Sequence, residues 1–256
     1  MSSSSSSSDK VVVGIDRLAD GPMHTMDPFL FCVYHKDNYP AGNSKMEAPR
    51  RGNGADFNPS APYRMYHGDK IPGFPQHPHR GFETITATLD GIIDHTDSMG
   101  NAGRYGDGDL QWMTAGKGVV HGEMFPLIHQ DKENPTRFFQ VWLNLPSKHK
   151  FTEPAFVMHW GSETKKMKDG DKTDVIVWVG EHKGERTEMK SPRNSWAADP
   201  ENDVGVIFYS VKPGGKCEIA PAKGGKGTNR FLYFVEGENG KQFVCLLYTS
   251  DAADEG

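Results

Sequence analysis

Along most of the chain, apolar residues come in runs of four to eight that alternate with polar ones and stop at Gly, Asp, Asn or Pro. That is the pattern of short strands joined by tight turns. Lys10 to Ile15 is the first predicted strand, and Met26 to His35 the second, entered through an Asp-Pro turn. From Lys36 to Pro62 periodicity vanishes into Gly, Asn, Pro and charge; Ser44 to Ala48 allows one helical turn at most, because Pro49 follows. Regular strands resume at Ile85 to Leu89, Gly91 to His95, Leu110 to Met113, Val119 to His121 and Phe138 to Leu145, with a Gly-rich turn predicted over Gly100 to Gly108. Pro146 to Lys150 reads as a linker. Beyond it come Phe156 to Trp160, Val175 to Gly180, Val204 to Val211, Lys216 to Ile219, Phe231 to Glu236 and Gln242 to Tyr248. Phe231 to Gly237 echoes Ile85 to Gly91, so the second half repeats the style of the first. The expected fold is all-β, a barrel or sandwich in each half.

The expected organisation is a disordered Ser-rich tail over 1–9, an N-terminal domain over 10–146 and a C-terminal one over 147–256. Thr249 to Gly256 turns abruptly small and acidic, the expected mark of a reading frame cut inside the second barrel, which would leave a sheet edge unpaired.

The 256 residues carry 29 Gly, 17 Pro and a formal net charge of -5, so no basic face invites direct contact with nucleic acid. Cys32, Cys217 and Cys245 are far apart and odd in number, which argues against a disulfide framework and a thiolate zinc site and for a reducing, cytoplasmic setting, or a nuclear one in a eukaryote. No apolar run is long enough for a membrane span, and the start has no apolar signal core. Asn58 and Asn134 carry Pro within their Asn-x-Ser/Thr matches and are void as glycosylation sites. The chain is expected to act as a monomer.

Chemistry concentrates between Gly73 and Glu123. Residues i and i+2 of a strand share a face, so His77 and His79 point one way, as do His121 and Glu123. Two antiparallel strands can bring three imidazoles and one carboxylate to a common interior, where uncompensated charge would be costly without a cation. Three neutral nitrogens and one carboxylate suit divalent iron, with manganese, nickel, copper and zinc as competitors, and four protein ligands leave two octahedral positions open. The Gly224 to Thr228 run lacks phosphate-loop spacing, and Ser195 lacks a nucleophile elbow. His95, His129, His149, His159 and His182 have no partner at metal spacing and read as surface or hydrogen-bonded residues. Trp112, Trp142, Trp160, Trp178 and Trp196 read as core or rim.

The runs HPHRGFET (His77 to Thr84) and GDLQWMTAGKGVVHGEM (Gly108 to Met124), with MDPFLF near the start, resemble the pirin family of the cupin superfamily. The resemblance implies a bicupin, two β-barrels face to face, with one Fe(II) held only in the N-terminal barrel. It places the ligands at His77, His79, His121 and Glu123. Glu83, where the general cupin pattern has a ligand, is then expected beside the ligands or in a structural role. The implied activity is that of a quercetin 2,3-dioxygenase, using dioxygen on a flavonol-like aromatic, with Glu123 also accepting the flavonol proton. Phe74, Phe82, Met113, Met124 and Phe125 are expected to form an aromatic slot, with Gln111 as a polar contact. The alternative implied by animal relatives is a redox-sensitive iron protein that binds a transcription factor through its surface.

Overall fold

A computed structural model of the chain describes residues 14–18, 21–49, 60–64, 68–238 and 241–250, the last stretch as backbone. In chain order the strands are β1 (Phe29–Tyr39), β2 (Gly73–His79), β3 (Phe82–Asp90), β4 (Ile92–Asp97), β5 (Ala102–Gly106), β6 (Leu110–Thr114), β7 (Val119–Met124) and β8 (Asn134–Asn144). They continue with β9 (Ala155–His159), β10 (Lys165–Lys168), β11 (Thr173–Val179), β12 (Glu181–His182), β13 (Glu185–Arg186), β14 (Gly205–Val211), β15 (Thr228–Glu238) and β16 (Lys241–Ser250). Only short 3-10 turns interrupt them among the described residues. Among these residues no helix is long and apolar enough to cross a membrane.

Two sheets form the first barrel. One has the order β1-β8-β3-β6-β9 and the other β2-β7-β4-β5. Strand β9, though it follows the predicted linker, completes the first of these by pairing Leu110 to Thr114 with Ala155 to His159. The second half is built on a sheet of order β10-β11-β14-β16-β15, with β12 and β13 as a separate hairpin.

Strand alternation gives the five-stranded sheet two different faces. On β3, Ile85 and Ala87 turn toward the second half, where they join Leu110, Trp112, Phe139, Val141 and Leu143 in one core with Trp178, Val206, Phe208 and Tyr233. Thr86, Gln111 and Gln140, which lie between them, are polar and face the barrel interior. Thr86 pairs with Gln111 on β6 and with Gln140 on β8, so the three form one polar row across three strands. Strand β14 alternates in the same way: Val206 and Phe208 enter the shared core, while Ile207 and Tyr209 pack with Val175 and Val177 inside the second half. On β11 the same alternation turns Trp178 to the shared core, and a register shift between Val177 and Val179 brings Val179 there as well.

Several sequence expectations are corrected. Strand β1 continues through Lys36, Asp37, Asn38 and Tyr39, paired with Arg137 to Asn134, so the irregular stretch starts only at Pro40. The polar residues there alternate with the buried Asp37 and Tyr39, a two-residue period that composition concealed. Gly100 to Gly108 contains β5, whose Tyr105 is fully buried; glycine content masked a strand pinned along β4. Lys216 to Ile219 forms no ladder; its Cys217 and Ile219 pack instead against Val175, Val177, Ile207 and Tyr209. Gly14 and Ile15 lie outside any strand, and the rest of the first predicted strand, like the Ser-rich tail, falls outside the described residues. Ser44 to Met46 is a turn, held by the Asn43 side chain accepting from the backbone N–H groups of Lys45 and Glu47.

Candidate metal centre

The four-stranded sheet carries the site. Strand β7 lies between β2 and β4, with His77 opposite His121 and, on the other side, His95 opposite Glu123. Gly73 makes the entry possible: its φ is +135°, and an added Cβ would stand 2.4 Å from the Glu123 carbonyl oxygen. Only glycine lets β2 approach β7 that closely.

His77, His79 and His121 come together. Their nearest ring nitrogens lie within 4.8 Å of one another. His77 Nε2 stands 3.1 Å from His79 Nε2 and 3.0 Å from His121 Nε2. Two nitrogens about 2.1 Å from one ion and at right angles stand about 3.0 Å apart, so these edges fit adjacent corners of an octahedron. The His77 Nδ1–H donates to the Pro75 carbonyl at 2.8 Å, which leaves its Nε2 as a lone pair turned inward. Burial, then the neighbouring His121 and His77 rings, presses the His79 pKa down to about 3. His121 is also lowered to about 3, by burial and then by His77 and His95. At neutral pH both rings are therefore uncharged and able to donate lone pairs.

Glu123 sits deeper. Its carboxylate groups with His121 and His95 and not with the full set of three imidazoles. Oε1 accepts from Tyr105 Oη at 3.2 Å and Thr86 Oγ1 at 3.3 Å, and Oε2 accepts from Gln140 Nε2 at 3.0 Å. The polar row of the opposite sheet thus receives the carboxylate. Gln111, expected as a substrate contact, is fully buried and spends both ends of its amide internally: Nε2 donates to His95 Nδ1 at 2.8 Å, and Oε1 accepts from Tyr105 Oη at 3.1 Å.

His95 is the residue that sequence reasoning missed. It is buried, its Nδ1 lies 3.5 Å from His121 Nδ1, and its Nε2–H donates to Asp97 Oδ2 at 3.1 Å. Asp97 also accepts from the backbone N–H groups of Met99 and Asn101. The signal was available: His95-x-Asp97 has the same i, i+2 spacing as His77-x-His79. His182 also departs from expectation, being buried beside Asp169 and Cys217.

Glu83 points the other way. By parity it lies on the outer face of β3, where its carboxylate accepts from Thr114 Oγ1 at 2.5 Å and Ser195 Oγ at 2.8 Å. Burial outweighs these bonds and pushes its pKa up to about 7. Ser195 also accepts from the Ala197 N–H at 3.1 Å, capping a short turn of the second half, so its hydroxyl joins the two halves.

The aromatic surroundings differ from the expected slot. Met113 and Phe125 are core residues. Phe82 and Trp142 flank His79, with ring centres 5.0 and 5.3 Å away, and Phe31 stacks on Trp142 at 4.5 Å. Phe74 stands edge-on to His77 at 6.4 Å. Phe31, Phe74, Phe82, Trp142 and His77 are all partly exposed, so an aromatic border opens on the imidazoles from one side.

Comparison with known proteins agrees with this architecture. A family model described as Pirin matches residues 15–143. A pirin-like protein of Solanum lycopersicum is 37% identical over 168 residues, 65% of this chain and 51% of that protein. The pirin of Homo sapiens is 34% identical over 185 residues, 72% of this chain and 57% of that protein. The chain spans about half the length of the curated relatives it matches. Among solved structures, a quercetin 2,3-dioxygenase from Acinetobacter baumannii superposes with a TM-score of 0.63 at 22% identity, over 91% of this chain and 75% of that one. GK1651 from Geobacillus kaustophilus gives 0.60 at 25% identity, over 90% and 85%. These superpositions show a shared all-β fold of two cupin-type barrels. With half of its length matched by the family model, and with its histidines gathered where two facing strands meet, the chain belongs to the pirin family.

Proposed function

We propose that this chain is an iron-dependent dioxygenase of the quercetin 2,3-dioxygenase type, acting on a flavonol-like aromatic. His77, His79, His121 and Glu123 would hold one Fe(II). The observation that carries this reading is the triangle of imidazoles, with edges of 3.0 and 3.1 Å, opening toward an aromatic border. Ferrous iron at that place supplies the one-electron chemistry that lets dioxygen attack a closed-shell aromatic.

The chain's own residues do the rest. Phe82 and Trp142 bind a flat ring system beside His79, and Phe74 limits its tilt from the side of His77. Glu123 accepts the substrate hydroxyl proton at Oε2, whose one side-chain donor is Gln140, while Oε1 faces the Tyr105 and Thr86 hydroxyls. Gln140, Tyr105 and Thr86 hold that carboxylate in place through the transfer. The buried network from Asp97 through His95 and Gln111 keeps water away from the inner side of His121.

The test is a ferrous-loaded sample given quercetin under oxygen. Loss of flavonol absorbance with release of carbon monoxide is expected, and His121→Ala should lower it at least about 100-fold, together with iron content. An iron-loaded wild type that leaves quercetin untouched removes this reading. A partner protein captured only in one iron oxidation state would instead favour the regulatory one.

A further inference from the structure

A second cluster of ligand-type side chains lies in the other half of the molecule, away from the imidazoles. Asp169 follows β10 in the turn toward β11, His182 ends β12, and Cys217 lies in the ladderless segment after β14. Three separate pieces of chain thus bring a carboxylate, an imidazole and a thiol to one place, with ligand atoms within 4.8 Å of one another.

The arrangement leaves two buried atoms unanswered. The His182 side chain is 2% exposed, and its Nδ1 is engaged by the Tyr209 hydroxyl at 3.2 Å, which fixes the ring and aims Nε2 into the cluster. Asp169 Oδ1 pairs with Lys183 Nζ at 2.6 Å, which leaves Oδ2 facing inward. His182 Nε2 and Asp169 Oδ2 stand 3.5 Å apart, too far for a good hydrogen bond, and neither has a partner at good hydrogen-bond geometry, the Cys217 thiol being the other group beside Asp169. Buried polar atoms left in this way are costly unless something sits between them.

The spacing and chemistry indicate what that is. Ligands about 2.1 Å from an ion at tetrahedral angles stand about 3.4 Å apart, wider than the octahedral edge of the histidine triangle. A nucleophilic role for Cys217 is disfavoured, since burial and then the neighbouring Asp169 push its thiol up to about 12. A bound cation reverses that balance by replacing the thiol proton.

We propose that Asp169, His182 and Cys217 form a second divalent transition-metal site, of the zinc class and distinct from the iron-type histidine site. One thiolate, one imidazole and one carboxylate make a tetrahedral set with the fourth position left for water. The ion clips the β10–β11 turn and the β12–β13 hairpin to the segment that carries Cys217, which has no strand partner. Binding expels the Cys217 proton and loosens Lys183 from Asp169.

The experiment titrates the metal-free full chain with Co(II), a spectroscopic substitute for zinc, and reads thiolate-to-cobalt charge-transfer absorption. The wild type and a His77→Ala/His79→Ala variant should both develop the band, so the result does not depend on the histidine site. Cys217→Ser should lose it, His182→Ala should weaken cobalt binding tenfold or more, and Zn(II) should displace the cobalt. Unchanged melting of metal-free Cys217→Ser shows that the loss is not unfolding, and His182→Ala decides the matter if that variant is unstable. Absence of the band in wild type, or its persistence in Cys217→Ser, overturns the proposal.

Discussion

The interiors of the two halves are built on the same strand alternation and filled in opposite ways. Inside the first, β3, β6 and β8 present Thr86, Gln111 and Gln140 to Glu123 and the imidazoles. Inside the second, β11 and β14 present Val175, Val177, Ile207 and Tyr209 to one another. The first interior holds lone pairs along a whole polar row; in the second, such groups are confined to Asp169, His182 and Cys217 at one border of an apolar core, where the Tyr209 hydroxyl meets His182. The fold therefore supplies a container, and the residue type at one strand parity decides whether it does chemistry or only packs.

The strongest challenge to that contrast is to the core that both halves share. Phe208 packs against Trp178 of its own half and, across the boundary, against Phe139, with ring centres 5.7 and 6.0 Å away. Phe208→Ala should cost about 3–5 kcal/mol. Urea unfolding followed by probes in each half should show one transition moved together; a loss confined to the second half would mean that the two interiors are independent.

The next effect comes from Glu83, the carboxyl on the outer face of the five-stranded sheet. Its pKa in the folded chain, about 7, lies above its ordinary 4.5, so the folded state holds a proton that the unfolded state releases. The stability this gives is complete below about pH 4.5 and is lost as pH rises through 7. Relative to Glu83→Gln, the wild type should lose about 3 kcal/mol between pH 4.5 and 8, a difference that cancels the opposite titration of His79 and His121. Equal pH dependence in the two proteins would show that Glu83 is not desolvated.

The smallest expected effect sharpens the account of the first interior. Gln111→Ala leaves the His95 Nδ1 and the Tyr105 hydroxyl each without one partner. Metal affinity should fall by about 10–100-fold, read by competition with a chelating dye. Unchanged affinity would reduce the polar row to a bystander.

How much of this could be read from the sequence follows from the range of each signal. His77 with His79, and His121 with Glu123, were legible because parity within one strand needs no knowledge of the partner. Turn glycines likewise marked most strands. His95 was not legible as a neighbour of Glu123, since only the β4–β7 register sets them opposite one another. Trp142 was read as core or rim, and its place beside His79 depends on β8 lying against β3. Asp169, His182 and Cys217 are drawn from three turns and segments that no periodicity connects. Strand β5 was hidden because its glycines look like a turn until Tyr105 is seen buried beneath them.

Strand β3 writes two messages in alternate letters. Even-numbered positions address the interior of the first barrel and odd-numbered ones address the seam between the halves. A single inserted or deleted residue would exchange the readers, sending Glu83 toward the imidazoles and Thr86 into an oily seam. Variation in this strand is therefore confined to letter-by-letter replacement, and the two messages can drift apart freely so long as its length is kept.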